Sequence, residues 1–151
     1  MDMNSILIAL SSSGQTDFGR EDFANQSTPQ KVFSAVWALE SEVNNGGFSQ
    51  YFSNSSAETA PFVAEALETI QATKAAEICR RAIATAFPAG LPSRPEDIQS
   101  AAEDFSADIT EHLSTIDEEF FSYPDDLTRL LFIYVRNHPE AFGEISRATD
   151  E

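Results

Sequence analysis

Apolar residues recur every three or four positions from residue 29 almost to the end of the chain, a period typical of amphipathic helices. The spacing predicts helices over 29–44, 58–71, 73–87, 94–105, 107–121 and 124–137, with a short helical piece at 48–54 and a terminal turn from Pro139. We therefore expect an all-α protein, a compact orthogonal or irregular bundle of about six to eight helices in a single domain.

The first 28 residues do not share this pattern. Residues 11–28 are polar, contain glycine and serine, and show no period, which is typical of a loop. The sequence therefore divides into an N-terminal segment with a polar loop at 1–28 and a helical domain at 29–151.

Residues 130–135 are six consecutive apolar residues, so their pattern alone fits a strand as well as a helix. Asp125 and Asp126 before the run suit the positive end of a helix dipole, and Arg136 and His138 after it suit the negative end. We predict a helix. Because this helix is apolar on every side, we expect it at the centre of the bundle.

The N-terminus has no basic region, and the apolar run at 6–10 is too short for a secretory signal or a membrane span. Cys79 is the only cysteine, so no internal disulfide can form. Its place in an apolar helical stripe indicates a small buried side chain. We expect a cytoplasmic protein.

Negative charge is the most unusual bulk property of the chain. Twenty-five Asp and Glu residues oppose nine Lys and Arg residues, which leaves a net charge of −16. Such a charge repels nucleic acids and anionic membranes and attracts basic protein surfaces. We therefore expect a basic protein partner, and no binding to nucleic acid or to membranes.

Eleven of the acids lie between Pro95 and Thr128, an interval that contains no Lys or Arg. They are Glu96, Asp97, Glu103, Asp104, Asp108, Glu111, Asp117, Glu118, Glu119, Asp125 and Asp126. Those at helix starts stabilise unpaired N–H groups. A rotation of about 100° per residue places most of the others on solvent faces, with Asp117 at the flank of its helix.

A charged outer face also serves solubility alone, but an ordinary surface helix mixes both signs of charge. The absence of Lys and Arg therefore favours a functional surface. The predicted protein-binding residues are Asp97, Glu103, Asp104, Asp108, Glu111, Asp117, Glu118 and Glu119.

The most distinctive string in the chain is EVNNGGFSQYFSNS at residues 42–55. Gly46 and Gly47 are expected to end the preceding helix with left-handed backbone, and the aromatic residues to pack back on the core. The polar side chains either bond the backbone freed by this turn or form a small ligand pocket. The residues concerned are Asn44, Asn45, Gly46, Gly47, Phe48, Gln50, Tyr51 and Asn54.

This string resembles the signature EVNNGGFxQYFxNS of a bacterial family of small all-helical domains related to DNA-mimic proteins. The resemblance continues through 64–67, 75–78, 120–124 and 134–137, and covers roughly residues 30–137. It implies a DNA mimic whose carboxylates replace phosphates and keep a DNA-binding protein, such as a dimeric helix-turn-helix repressor, off its operator. The signature lies outside the acidic segment, so it transfers no contact residues.

Other functions stay open. Asp108, Glu111 and His112 stand close together on one helix, but no second histidine, HExxH or CxxC motif accompanies them. We therefore expect neither an enzyme nor a metal or cofactor site. One alternative is an immunity or antitoxin protein that inhibits a basic nuclease toxin, and another is a small-ligand site at 44–54. The oligomeric state is also open, with a homodimer as one alternative.

Overall fold

The computed structural model describes residues 2–145, and within them the regular structure is helical throughout. Eight α helices and two 3₁₀ turns, at Phe23–Asn25 and Ser55–Thr59, make up this part of the chain. The helices are α1 (Met3–Ser11), α2 (Thr28–Ser53), α3 (Ala60–Thr69), α4 (Thr73–Ala86), α5 (Pro95–Glu103), α6 (Ala107–Phe121), α7 (Leu127–Arg136) and α8 (Pro139–Phe142). The predicted all-α class and single domain are confirmed. The predicted domain extends to 151, and its last six residues, 146–151, lie outside the described residues.

The central element is α2, which packs against α3, α5, α6, α7, α8 and the second 3₁₀ turn. Its first half is buried almost all round, over the run 32–36 and again at Ala38 and Leu39. The apolar run at 130–135 does form a helix, α7, as predicted. Its expected central position is wrong, because α7 packs mainly on α1, α2 and α8 and leaves Leu130 and Tyr134 partly exposed.

A break divides α2 into two parts at the double glycine. Gly46 has φ −157° and ψ 19°, and Gly47 has φ 76° and ψ −178°, so neither is helical. The predicted separation of a longer helix from a short aromatic one is therefore confirmed. Left-handed backbone was predicted for both glycines, and this is wrong for Gly46, because the positive φ at Gly47 is enough to redirect the chain.

The N-terminal residues belong to the same core. Leu7 and Leu10 of α1 are buried with the core residues, and α1 packs on α7. The buried Thr16 hydroxyl donates to the Leu10 carbonyl over 2.7 Å. The Gln30 amide donates to the carbonyls of Gln15 and Ala141 over 3.0 and 2.8 Å, which ties the polar loop to both α2 and α8. None of the helices in the described chain has the length and apolar character needed to cross a membrane.

Candidate functional site

Two acids of the 95–128 interval are helix caps. Asp125 accepts a hydrogen bond from the Ala75 N–H over 2.9 Å, at the start of α4. Asp126 accepts one from the Arg129 N–H over 3.1 Å, at the start of α7. Both carboxylates satisfy N–H groups that a helix leaves unpaired at its first turn, so their charge is used within the fold.

Three further acids pair with arginines that lie outside the interval. The Arg94 Nε lies 2.6 Å from Glu96 and 3.7 Å from Asp97. Arg81 of α4 binds Glu119 through two hydrogen bonds of 2.6 and 2.9 Å. Hydrogen bonds from these arginines lower the pKa of Glu96 and of Glu119. Two predicted binding residues, Asp97 and Glu119, are therefore partly neutralised within the protein.

Asp117 faces inward, at the break in α2. Its Oδ1 accepts a hydrogen bond of 2.8 Å from the Phe48 N–H, the donor that the break leaves unpaired. A Cβ at Gly47 would overlap with the same carboxylate. Burial raises the pKa of Asp117 more than the Phe48 hydrogen bond lowers it, and the charge of Glu118 raises it further. Asp117 is thus engaged in the fold, and it does not share the outward orientation of its neighbours.

The five other acids of the interval are exposed. Within residues 2–145, the side chains of these five cap no helix, and none of them lies within 4.0 Å of a Lys or Arg nitrogen. We call them the outer acids: Glu103, Asp104, Asp108, Glu111 and Glu118. The Asp108 carboxylate lies 3.6 Å from the Nδ1 of His112, whose ring also contacts the Asp108 carbonyl over 2.8 Å. All five belong to the predicted binding set.

The outer acids follow one another along the chain from the end of α5 to the end of α6. At a rise of about 1.5 Å per residue, Asp108 and Glu118 are about 15 Å apart along α6. Glu111 and Glu118 are seven residues apart and therefore lie on nearly the same side. Both helices pack on α2, but α5 also contacts the second 3₁₀ turn whereas α6 contacts α4. Residues 104–106 form a short link between the acidic end of α5 and the acidic start of α6.

Three of the four side-chain amides in residues 44–54 bond to other side chains. The Asn44 amide donates to the Tyr123 hydroxyl over 2.6 Å, and that hydroxyl donates to Glu40 over 2.8 Å. Burial raises the pKa of Glu40, and it raises the pKa of Tyr123 to about 12. Asn44, Gln50 and Asn54 were expected to bond the freed backbone and instead donate to side chains, while the Phe48 N–H is bonded by Asp117.

The second half of the motif is organised around one carboxylate. Glu42 accepts hydrogen bonds from Gln50 over 3.0 Å and from Asn54 over 2.7 Å, across the break in α2. Phe48 and Tyr51 are fully buried, and the Tyr51 hydroxyl pairs with Thr59 over 2.6 Å.

Asn45 and Gly46 are exposed at the tip of the break. A cavity of about 360 Å³ is lined by Glu42 and Ser55, the first and last residues of the 42–55 motif, and by none of residues 44–54. The hydrogen bonds of Glu42 thus join the two parts of α2, and that of Asn44 joins its first part to Tyr123, after α6.

Cys79 and the histidines are placed as ordinary structural residues. Cys79 is buried, as predicted, and burial raises the pKa of its thiol to about 12. Such a thiol carries no thiolate at neutral pH. The His138 Nδ1 contacts the Tyr134 carbonyl over 2.7 Å at the end of α7. In the described part of the chain, no three His, Cys, Asp or Glu side chains are grouped to hold a metal ion.

The partners of the acids were not apparent in the sequence. Arg81 precedes Glu119 by 38 residues, and no local pattern links residues at that separation. Arg94 lies one position before the acid-only interval, which begins at Pro95, so the choice of interval hid its nearness to Glu96. For Asp117 the sequence did contain a signal: its position at the flank of α6 indicates that its side chain can turn toward the core.

Comparison with protein-family models identifies the family of this chain. A family model described as "DMP19-like protein" matches residues 24–138, which includes both the 42–55 motif and the acidic segment. No curated protein and no solved structure matches the chain significantly. The matched range spans most of the sequence and runs from the first 3₁₀ turn to the end of α7. The chain therefore belongs to the DMP19-like protein family.

Proposed function

We propose that the chain is an acidic protein-binding domain that mimics DNA and sequesters a DNA-binding protein, such as a helix-turn-helix transcription repressor. Membership in the DMP19-like family, which is related to DNA mimics, supports this function. The observation that carries it is the set of outer acids, which are exposed and not paired with a Lys or Arg of the described chain.

The outer acids offer a basic protein the acceptors that it finds on a DNA backbone. Half or more of the hydrogen bonds of a DNA-binding protein go to phosphates and sugars, and carboxylates can accept those bonds. On α6 the spacing of Asp108, Glu111 and Glu118 averages on the order of 7 Å, about twice the 3.4 Å rise between phosphates of one strand. The array is sparser than DNA, so the partner's selectivity must come from shape as well as charge.

A binding role, and not a catalytic one, is part of the proposal. Two of the carboxylates whose pKa is raised, Asp117 and Glu40, are hydrogen-bonded to Phe48 and Tyr123. Burial raises both pKa values and these hydrogen bonds oppose the shift, so each carboxylate already has a structural role. Since the outer acids repel polyanions, we also propose that the chain binds neither nucleic acid nor anionic membranes.

Capture from a native lysate tests the proposal. The full chain is immobilised, proteins that bind are eluted in parallel with duplex DNA and with salt, and both eluates are identified by mass spectrometry. We expect a DNA-binding protein that duplex DNA releases, because mimic and duplex would occupy the same surface. A captured protein that duplex DNA leaves in place would contradict mimicry. A nuclease toxin in the eluate would establish the immunity-protein alternative in its place.

A charge-matched pair of variants then tests the surface. The first variant replaces four outer acids by amides: Asp104→Asn, Asp108→Asn, Glu111→Gln and Glu118→Gln. The control replaces four exposed acids elsewhere: Glu65→Gln, Glu77→Gln, Glu140→Gln and Glu144→Gln. Both raise the net charge by four, so long-range attraction falls equally in each.

We expect the first variant to bind the captured partner about tenfold to a hundredfold more weakly in calorimetric titrations, with a reduced dependence on salt. The control should stay within about threefold of the unmodified chain. Equal losses in both variants would show that bulk charge, and not this surface, drives binding.

A further inference from the structure

A cavity of about 360 Å³ lies on a different part of the molecule. Its walls come from residues 18–26 of the polar loop, from the middle of α2, and from the second 3₁₀ turn, Ser55–Thr59. No residue of α5 or α6 lines it. The volume falls in the range of small-ligand sites, about 300–1,000 Å³.

The buried polar side chains that line this cavity already donate hydrogen bonds to other groups of the protein. The Gln26 amide donates to two backbone carbonyls of its own loop, over 3.1 and 3.3 Å. The Ser34 hydroxyl donates to Gln26 over 2.7 Å, and the Ser56 and Thr59 hydroxyls donate to carbonyls over 2.7 and 2.8 Å. Each hydroxyl has one hydrogen and two lone pairs. What these four buried side chains still offer to a ligand is therefore acceptors.

The rim carries three exposed carboxylates and one arginine. Glu21, Asp22 and Glu58 are exposed around the opening, and within residues 2–145 none lies within 4.0 Å of a Lys or Arg nitrogen. Arg20 also lines the cavity, but its Nη2 donates to the Ser12 carbonyl over 3.3 Å. Burial and then the charge of Asp22 raise the pKa of Glu58, so these two carboxylates repel each other.

Aromatic residues supply the apolar part of the cavity. Phe18 and Phe23 line it and are half-buried, and Ala38 closes it from α2. The Phe23 ring already has a cation over it, the Lys31 ammonium at 5.6 Å from the ring centroid. Half-buried rings of this kind can pack against the alkyl part of a long basic side chain.

A ligand for these walls must donate hydrogen bonds, carry positive charge and have a flat or apolar portion. Among protein side chains, the arginine guanidinium has five donors and no acceptor, is planar, and is more weakly hydrated than an ammonium group. We infer that the cavity binds the guanidinium group of an arginine side chain presented by another polypeptide. Free arginine is a poorer ligand, because its α-carboxylate would approach Glu21, Asp22 and Glu58. The cavity is separate from the outer acids, so this inference stands apart from the proposed function.

Titration of the ¹⁵N-labelled full chain with blocked amino acids tests the inference. The probes are N-acetyl-arginine amide, the neutral N-acetyl-citrulline amide of nearly the same shape, N-acetyl-lysine amide and free arginine. We expect the first probe to shift the backbone amides of Gln26, Ser34 and Glu58 saturably, and to bind at least about tenfold more tightly than the other three. Comparable binding of citrulline or lysine, tighter binding of free arginine, or shifts confined to α6 would each overturn the assignment.

A pair of variants locates the binding. Asp22→Asn with Glu58→Gln removes two exposed carboxylates of the rim; Asp22 makes no side-chain capping bond, so the fold should tolerate the change. We expect about a tenfold loss of affinity for N-acetyl-arginine amide. The control, Asp108→Asn with Glu111→Gln, makes the same charge change on α6 and should stay within about twofold.

Thermal unfolding verifies that both variants are folded. Unchanged affinity in the folded rim variant, or an equal loss in the control, would overturn the inference. If the rim variant unfolds, Glu58→Gln alone gives the same reading with a smaller expected loss.

Discussion

The break in α2 and the outer acids use the same chemical groups for opposite purposes. At the break, the carboxylate of Asp117 is turned inward and bonded to the Phe48 N–H. One residue later, Glu118 is exposed and lies within 4.0 Å of no Lys or Arg nitrogen in the described chain. A rotation of about 100° along α6 separates the two roles. Acid content alone therefore says little about a surface until each carboxylate's partners are known.

This difference predicts that substitutions in the two regions should affect different properties of the protein. Changes at the break remove contacts that hold two helices together, so they should lower the free energy of unfolding. Within residues 2–145, changes at the outer acids remove no side-chain partner other than the His112 contact of Asp108, so they should alter binding and leave stability nearly unchanged.

The largest effect is expected from Gly47→Ala. Gly47 has φ 76° and ψ −178°, a region that only glycine adopts readily, and the new Cβ would overlap with Asp117. We expect the free energy of unfolding to fall by about 2–4 kcal/mol, measured by urea denaturation followed by circular dichroism.

Two other glycines serve as controls for that substitution. Gly19 also has a positive φ, 74°, but a Cβ there would meet nothing within 4 Å, so Gly19→Ala isolates backbone strain at about 1–2 kcal/mol. Gly14→Ala should be close to neutral, because nothing lies near it and no positive φ is involved. A loss at Gly47 no larger than at Gly19 would mean that the contact with Asp117 contributes nothing.

A smaller loss is expected from Asp117→Ala. It leaves the Phe48 N–H without its acceptor in a half-buried setting, which should cost about 1–3 kcal/mol. Asp117→Asn keeps an oxygen acceptor and should recover most of that loss. Glu118→Ala, one position along, should change stability by less than about 0.5 kcal/mol. Equal effects at 117 and 118 in urea denaturation would remove the distinction between the two regions.

The smallest effect is on the pH dependence of stability. The pKa of Asp117 in the folded chain is raised above its usual 3.8, so the folded state binds a proton more readily than the unfolded state. Between the raised folded value and 3.8, stability should therefore increase as pH falls, and this contribution is lost as pH rises through the folded pKa.

Asp117→Asn removes this titration and should flatten the pH profile of urea denaturation in the acidic range, relative to the unmodified chain. Glu111→Gln, an exposed position on the same helix that does not contribute to the raised pKa of Asp117, is the matched control and should preserve the slope. The same slope in the unmodified chain and in Asp117→Asn would show that burial of this carboxylate has no energetic consequence.

Local signals identified the helices well. The apolar period located α2 through α7 to within a few residues, and the double glycine marked the break in α2. The run at 130–135 was assigned correctly because charged residues flank it, but its central position was not, because apolar content does not say which neighbours a helix has. The helix at Met3–Ser11 was missed, since nine residues are too few for a clear period.

The acidic surface was predictable only in outline. Its position on α5 and α6 and its lack of Lys and Arg follow from residue order. Its reduction from eight predicted binding residues to five outer acids came from contacts: Arg94 beside Asp97, Arg81 beside Glu119, and Phe48 beside Asp117. The cavity bordered by Glu58 had no sequence signal, because its walls join three segments that are separate in the chain.

The amino-acid sequence by itself determined the helical class, the glycine break and the sign of the charge. These depend on local propensity, spacing and composition, which act over a few residues. The tertiary structure decided which carboxylates face solvent, which are capped or paired, and where a cavity opens. Those outcomes depend on side chains far apart in the chain meeting within hydrogen-bonding distance, and local spacing carries no information about such distances.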